Sequence, residues 1–159
     1  ESEAKIDGIV NATGVVAFGN FTELEPETLT KLFAVNTTGP IQLIQGLLPA
    51  LKISAAAGND PFIVNISGVV AESPMAGLAA YSSSKAALYA FGQAISRELR
   101  RDGIRVIDAR PGHTETGLAG RAIAGVAPAF PQGMSIDQVA DRIVKAIVED
   151  EKDLPSSSF

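Results

Sequence analysis

Three short β-branched runs, separated by longer helical patterns, constrain the fold of this chain more than any other feature. The runs are rich in Val and Ile and apolar on both faces, as parallel strands covered by helices should be. They are IDGIVN (6–11), PFIVNIS (61–67) and GIRVIDA (103–109). Alternating strands and helices are typical of a parallel sheet with right-handed crossovers. The sequence therefore predicts an α/β fold, with residues 1–159 in a single domain.

Three helices are predicted between and after these strands. Apolar residues recur at three- and four-residue steps from 26 to about 51, and Pro26 suits the first turn of that helix. A second helix is expected over about 79–101, because Asp102 and Gly103 form a typical helix stop. A third is expected over about 136–149, with Ser135 as its N-cap.

The segments outside these elements also carry expectations. Residues 112–134 are rich in Gly, Pro, Ala and Thr and follow the third strand, where an α/β sheet usually places its ligand loops. A short helix is predicted within GLAGRAIAG (117–125). The tail DLPSSSF (153–159) is predicted to form a last short strand.

Composition excludes several classes of function. The net charge is −5 and no run of Lys and Arg occurs, so neither nucleic acid nor a membrane is an expected partner. The chain has no cysteine and one histidine, His113, which argues against a metal site. No apolar run approaches the roughly 20 residues of a membrane span, and the acidic start does not resemble a signal peptide. We expect a soluble protein of the cytoplasm.

Tyr81 and Lys85 stand four residues apart in AAYSSSKAAL (79–88), which places them on one face of the second helix. An ammonium beside a phenol favours the phenolate and lowers the tyrosine pKa from its usual value near 10. Such a tyrosine can exchange a proton with an alcohol or a carbonyl. The alternative is an ordinary amphipathic helix with Tyr81 half-buried and Lys85 in solvent.

Four further motifs accompany YSSSKAAL in a consistent order: NATG (11–14), VNTTG (35–39), IVNIS (63–67) and RPGHTET (110–116). Together the five motifs resemble the short-chain dehydrogenase/reductase family, over nearly the whole chain from Ile6 onward. The resemblance implies a Rossmann-like, doubly wound parallel sheet and NAD or NADP as cofactor. It also implies hydride transfer between nicotinamide and a ketone or secondary alcohol. The resemblance further implies that the protein forms a homodimer or homotetramer.

The resemblance assigns roles to individual residues. Tyr81 matches the catalytic acid/base, Lys85 the residue that lowers its pKa and binds the nicotinamide ribose, and Asn36 the asparagine that supports a proton-relay water. Six further positions match the cofactor-binding pattern. Asn11 and Gly14 match positions where the family brings the backbone close to the adenosine ribose and diphosphate side of the cofactor. The loop that borders the nicotinamide is matched by Pro111, Gly112, Thr114 and Thr116.

Asn36 also has a reading from the local sequence. Pro40 has no N–H to donate to the carbonyl four residues earlier, so a continuous helix leaves the carbonyl of Asn36 free to accept from water. Gly39 makes a local kink easier. Alternatively, Gly39 and Pro40 break the helix and Asn36 caps the break.

The sequence departs from the family at the catalytic serine, which usually stands thirteen positions before the tyrosine. That position is Gly68, and Ser67 lies one residue too early, where strand geometry turns a side chain to the opposite face. Ser67 therefore either serves as the serine or bonds to nearby backbone, with Asn65, Ser73 and His113 as other donors. A non-catalytic binding or assembly protein is the alternative function.

Three further expectations remain. No glycine-rich strand–turn–helix precedes Asp7, so we expect the chain to be the C-terminal two-thirds of a longer domain, lacking the N-terminal βαβαβ half and inactive alone. His113 either faces the substrate pocket or lies on a surface loop. Arg110 either pairs with an acidic neighbour or rests on the sheet edge.

Overall fold

A computed structural model describes residues 5–159. Its centre is a sheet of four parallel strands in the order β1-β2-β3-β4, and β1 pairs only with β2 among the described residues. The strands are β1 (Gly8–Asn11), β2 (Phe62–Ile66), β3 (Arg105–Ala109) and β4 (Asp153–Leu154). The α/β fold with a Rossmann-like parallel sheet is therefore confirmed, and each predicted strand contains the observed one with one or two extra flanking residues.

The helices follow the predicted order. They are α1 (Pro26–Phe33), α2 (Gly39–Ala56), α3 (Ala79–Glu98) and α4 (Ile136–Val148). A turn of π-helix, Ala34–Thr38, joins α1 to α2, and a 3₁₀ turn, Leu99–Asp102, extends α3. The single helix predicted over 26 to about 51 is observed as α1, the π-helical turn and α2 in succession, and it ends later, at Ala56, whereas α3 and α4 lie within a few residues of their predicted ends.

The π-helical turn resolves what happens at Gly39 and Pro40. The N–H of Gly39 donates to the carbonyl of Ala34, five residues earlier, and helical backbone continues through Pro40 into α2. One wide π turn accommodates the proline, which has no N–H to donate to the helix. The chain does not break, so the interpretation of Asn36 as a cap is wrong.

Three local predictions at element ends are confirmed. Gly103 adopts left-handed backbone (φ 70°, ψ 23°) and ends the helical segment before β3. Ser135 caps α4: its hydroxyl accepts from the Gln138 N–H while the Gln138 side chain accepts from the Ser135 N–H. The tail contributes the two-residue strand β4, whereas the helix expected within 117–125 is only a 3₁₀ turn, Ala119–Arg121.

Apolar side chains cover both faces of the sheet. On one face α2 and α3 pack on Ile9, Ile63 and Val106, with Ile44 and Leu51 at the centre. On the other face α4 packs on the next residues along the strands, through Val64, Ile107, Val139, Ile143 and Leu154. Parallel sheets require this double coverage. No helix in the described part of the chain is both long and apolar enough to cross a membrane.

Candidate active site

A cavity of about 580 Å³ opens at the carboxyl ends of the first three strands. Eight of the ten residues predicted to form the site line it: Gly14, Ser67, Tyr81, Lys85, Pro111, Gly112, Thr114 and Thr116. The two asparagines, Asn11 and Asn36, lie buried behind this lining. Ligand sites of open α/β sheets occupy this edge, so sequence motifs spread over about a hundred residues converge where the fold places chemistry.

Lys85 is buried, with a relative exposure of 5%. Its ammonium donates to the carbonyl of Ile66, the last residue of β2, at 2.7 Å. Burial lowers the pKa of Lys85 to about 8, and the negative charge of Asp108 opposes that shift. The alternative in which Lys85 extends into solvent is therefore wrong.

Tyr81 lies one helical turn before Lys85 and is half-buried, against the apolar cluster of Val16, Val70 and Leu78. Burial raises the pKa of Tyr81 to about 12, because the phenolate is the charged form and loses its hydration there. The sequence led us to expect a lowered pKa. The structure gives the opposite direction because apolar side chains surround the phenol.

Asn36 ties the loop after β1 to two helices. Its amide oxygen accepts from the Val15 N–H at 2.8 Å, and its amide nitrogen donates to the Val15 carbonyl at 2.9 Å. The same nitrogen donates to the hydroxyl of Ser84 on α3 at 3.0 Å. Asn36 is fully buried, and these bonds fix the loop that carries Gly14 beside Lys85.

Ser67 lines the cavity but its hydroxyl has a side-chain partner, and Gly68 has a positive φ. The hydroxyl of Ser67 is buried and donates to the carboxylate of Asp108 at 2.5 Å, rather than to backbone. Gly68 has φ +79°, a conformation that side-chain-bearing residues rarely adopt. The backbone of this chain at position 68 therefore suits glycine and would strain a serine.

The loop after β3 forms the opposite wall of the cavity. Thr114 donates from its hydroxyl to the Gly112 carbonyl at 3.1 Å, and the Thr116 hydroxyl accepts from the Leu118 N–H at 3.3 Å. A Cβ placed on Gly112 would meet no atom within 4 Å, so the cavity is open beside this backbone. Asn11 contributes differently, since its side chain points into the sheet and donates to Asn65 at 3.3 Å.

His113 also lines the cavity, which favours its pocket-facing placement over a surface position. Its ring stacks on Phe130, with centroids 4.8 Å apart and an interplanar angle of 26°. Phe130 in turn contacts Phe18 at 6.0 Å between centroids. These rings join the loop after β3 to the loop after β1 across the mouth of the cavity.

The sequence offered an acidic neighbour for Arg110 but identified neither its partners nor their burial beside the site. Arg110 pairs with Glu72 at 2.5 Å, with Asp153 at 2.8 Å and with Asp108 at 3.0 Å. This settles Arg110 as a partner of acidic neighbours, which raise its pKa. The available signal was the two charged residues, Asp108 and Arg110, that follow the apolar Val106 and Ile107 at the end of β3. No group of acidic or histidine side chains among residues 5–159 is arranged to hold a metal ion.

Comparison with known proteins identifies the family. The family model described as short chain dehydrogenase matches residues 1–126. An uncharacterized oxidoreductase of Saccharomyces cerevisiae, TDA5, is 38% identical over 144 residues, which cover 86% of this chain and 42% of that protein. The chain therefore belongs to the short-chain dehydrogenase family, and relatives that it matches are named oxidoreductases or dehydrogenases.

Solved structures agree with this assignment. A short-chain dehydrogenase from Sphingobium yanoikuyae in complex with NADPH has a TM-score of 0.79 and 27% identity, covering 97% of this chain and 58% of that one. A 3-ketoacyl-(acyl-carrier-protein) reductase from Brucella melitensis shares the fold, with a TM-score of 0.81 at 22% identity, covering 97% and 67%. The chain spans about half the length of the curated relatives it matches.

Proposed function

We propose that the protein is an NAD(P)-dependent oxidoreductase that moves hydride between nicotinamide and a ketone or secondary alcohol, with Tyr81 as proton donor or acceptor. The observation that carries this proposal is that Tyr81 and a buried Lys85, one helical turn apart, line the same cavity at the carboxyl ends of the strands. An amphipathic helix packed only for stability has no reason to bury a lysine ammonium beside an open cavity.

The lining fits a nicotinamide nucleotide. Gly14 and Gly112 allow a ligand to approach the backbone closely, and the space beside Gly112 is open. The ammonium of Lys85 has three donors and uses one on Ile66, which leaves two for the hydroxyls of a ribose. We assign Gly14, Pro111, Gly112, Thr114 and Thr116, which line the cavity, to cofactor contacts, and Asn11 through its backbone alone, since its side chain is bonded to Asn65. The NADPH bound to the Sphingobium relative supports a cofactor of this class, NAD or NADP.

When bound, the nicotinamide supplies or accepts the hydride at the substrate carbon. The residues of this chain supply the proton and the orientation. Tyr81 is protonated at neutral pH, as a phenol is with or without the effect of burial on its pKa, and can donate to the oxygen of a ketone as that oxygen gains negative charge. The positive charge of Lys85 stabilises the phenolate left behind. Asn36 supports the relay that returns a proton to Tyr81, and Ser67 assists the substrate oxygen only if its bond to Asp108 is exchanged.

The proposal includes an assembly and a location. We infer a homodimer or homotetramer in the cytoplasm, in which α2 and α3 pack between subunits. Support comes from the exposed Leu43 on α2 and from the many small residues of α3, which allow close helix contact. Light scattering on the full-length protein should give a dimer or tetramer, and a single monomeric species would overturn the assembly.

A second function is favoured by one observation. Gly68 replaces the usual serine, and the neighbouring hydroxyl of Ser67 is committed to Asp108. A protein that binds the nucleotide for assembly or sensing, without turnover, needs no serine.

A measurement of turnover distinguishes the oxidoreductase from the nucleotide-binding protein without turnover. The full-length protein is assayed for oxidation of reduced NAD and NADP with a panel of ketones, beside Tyr81→Phe and the control Tyr89→Phe. Tyr89 lies on the same helix, but its ring stacks on Arg110 instead of lining the cavity. Turnover in the wild type and in Tyr89→Phe, but not in Tyr81→Phe, supports catalysis. Equal rates in all three variants contradict the role of Tyr81, and nucleotide binding without turnover supports the second function.

A further inference from the structure

Four polar residues form a continuous row across the buried centre of the sheet, one from each strand. Register pairs Asn11 with Asn65, Asn65 with Asp108, and Asp108 with Asp153. The first three are at most 3% exposed, while the side chain of Asp153 at the edge is 46% exposed. A polar row through a parallel sheet is costly unless its groups are paired, so it calls for a function.

Asp108 is the only ionisable member at the centre of this row. One carboxylate oxygen, Oδ1, accepts from Ser67 at 2.5 Å and from Arg110 at 3.0 Å. The other oxygen, Oδ2, and the amide nitrogen of Asn65 have no hydrogen-bond partner within residues 5–159. Gly92 of α3 lies against both, since a Cβ there would be 3.4 Å from the Asn65 nitrogen and 3.8 Å from Oδ2.

The row is joined to Lys85 through the end of β2. Ile66 accepts from the ammonium of Lys85, and the next residue, Ser67, donates to Asp108. Lys85 and Gly92 are seven residues apart on α3, two helical turns, and therefore lie on the same face. The buried ammonium and the buried carboxylate thus lie under one helix face and hold the same strand end.

We propose that Asp108 is a positioning residue for Lys85: its carboxylate, held by Ser67 and Arg110, keeps the buried lysine protonated on the Ile66 carbonyl. Its meaning for catalysis depends on the function proposed above, whereas its effect on the charge of Lys85 does not. A hydrocarbon environment by itself favours a neutral amine. A fixed negative charge on the same buried face counteracts this preference, because a low dielectric strengthens the attraction.

The pKa shifts of Asp108 and Lys85 have the directions that the proposal requires. Burial raises the pKa of Asp108 to about 6 while Ser67 and Arg110 lower it, so the carboxylate is charged at neutral pH. Its charge raises the pKa of Lys85 against the effect of burial. The other charged or titratable groups facing the cluster are Arg110 on the same strand, Asp153 on β4, Glu72 before α3, and Tyr81 and Tyr89 on α3.

The charge of Lys85 can be measured directly. The full-length protein is labelled with ¹³Cε-lysine, the Lys85 signal is assigned by its loss in Lys85→Arg, and its shift is followed from pH 4 to 11. We expect Asp108→Asn to lower the Lys85 midpoint by about half a pH unit or more. The control Asp153→Asn removes a carboxylate from the same arginine at the sheet edge and should leave the Lys85 midpoint unchanged. An unchanged midpoint in Asp108→Asn overturns the proposal.

A second measurement does not depend on the folding of Asp108→Asn. In the wild type the Lys85 signal should also report the ionisation of Asp108, as a smaller step near pH 6. Ser67→Ala removes a bond that lowers the pKa of Asp108, so the step should move to higher pH. A wild-type curve without this step overturns the proposal.

Turnover distinguishes failure of this inference from failure of the proposed function. If the wild type oxidises reduced nicotinamide, the alkaline limb of its kcat/KM profile should move to lower pH in Asp108→Asn. Dependence on Tyr81 with an unchanged Lys85 midpoint contradicts the role of Asp108 and leaves the oxidoreductase standing. A lowered midpoint in a protein without turnover supports Asp108 and contradicts the oxidoreductase.

Discussion

The ammonium of Lys85 lies 2.7 Å from the carbonyl oxygen of Ile66, so the lysine on α3 is bonded to the last residue of a neighbouring strand. This bond places the charge at the edge of the sheet where the loops meet. It also explains why a buried lysine is tolerated, since the ammonium has both a hydrogen-bond acceptor and a compensating charge nearby. Helix α3 thereby carries a phenol and a fixed cation to one cavity.

Replacing Asn36 with Ala should destabilise the protein. The substitution removes three hydrogen bonds and leaves the N–H and carbonyl of Val15 without their partners. We expect the free energy of unfolding to fall by about 2–3 kcal/mol, the usual cost of such unpaired groups. Urea unfolding measures this. Asn20→Ala, at an exposed residue whose side chain makes no capping bond, should change stability little, and equal effects of the two would contradict the structural role of Asn36.

Restoring the family serine at position 68 should not help the fold. Gly68 has φ +79°, so Gly68→Ser and Gly68→Ala should both lower the free energy of unfolding by about 1–2 kcal/mol. Gly46→Ala is the matched control, since Gly46 lies inside α2 with open space around it and alanine there should stabilise by up to about 1 kcal/mol. Opposite signs at the two glycines are expected. A stabilising Gly68→Ser would show that the backbone does not require glycine.

Asp108 should make stability fall as pH rises from about 4 to 6. Its pKa is raised from 3.8 to about 6 in the folded protein, so the folded state holds a proton in this window that the unfolded state has released. A shift of roughly two units corresponds to about 3 kcal/mol, lost above the window. The stability of the wild type relative to Asp108→Asn should therefore drop by about this amount between pH 4 and 7. A difference that stays constant with pH contradicts the raised pKa of Asp108.

The fold was largely readable from the sequence because each signal was local. Apolar periodicity located α3, α4 and the helical stretch that comprises α1 and α2, and Ser135 and Gly103 marked helix ends by their own backbone and side-chain chemistry. The sequence predicted the π-helical turn only in part. Pro40 indicated that one helical hydrogen bond is missing, but not whether the helix breaks there or continues through a wider turn. Tertiary packing of Asn36 against Val15 and α3 accompanies the wide turn.

The sequence motifs predicted which residues form the candidate site, but not the pKa values and hydrogen-bond partners of those residues. The motifs predicted which residues line the cavity, and eight of ten do so. The pKa of Tyr81 depends on Val16, Val70 and Leu78, which come from three separate segments, so the spacing to Lys85 alone suggested the wrong direction. The partner of Ser67 was hidden for the same reason, since Asp108 becomes its neighbour only through the register of β2 and β3.

The most direct test of the account follows the hydride and the proton together. The full-length protein is given a ketone and reduced nicotinamide nucleotide carrying deuterium at C4, as each of the two epimers, and the alcohol is analysed by mass spectrometry. The account predicts that one epimer transfers a single deuterium to the alcohol carbon, in the wild type and in Tyr89→Phe, with the rate in Tyr81→Phe reduced by at least about a hundredfold. Absence of deuterium from the alcohol, or an undiminished rate in Tyr81→Phe, would contradict it.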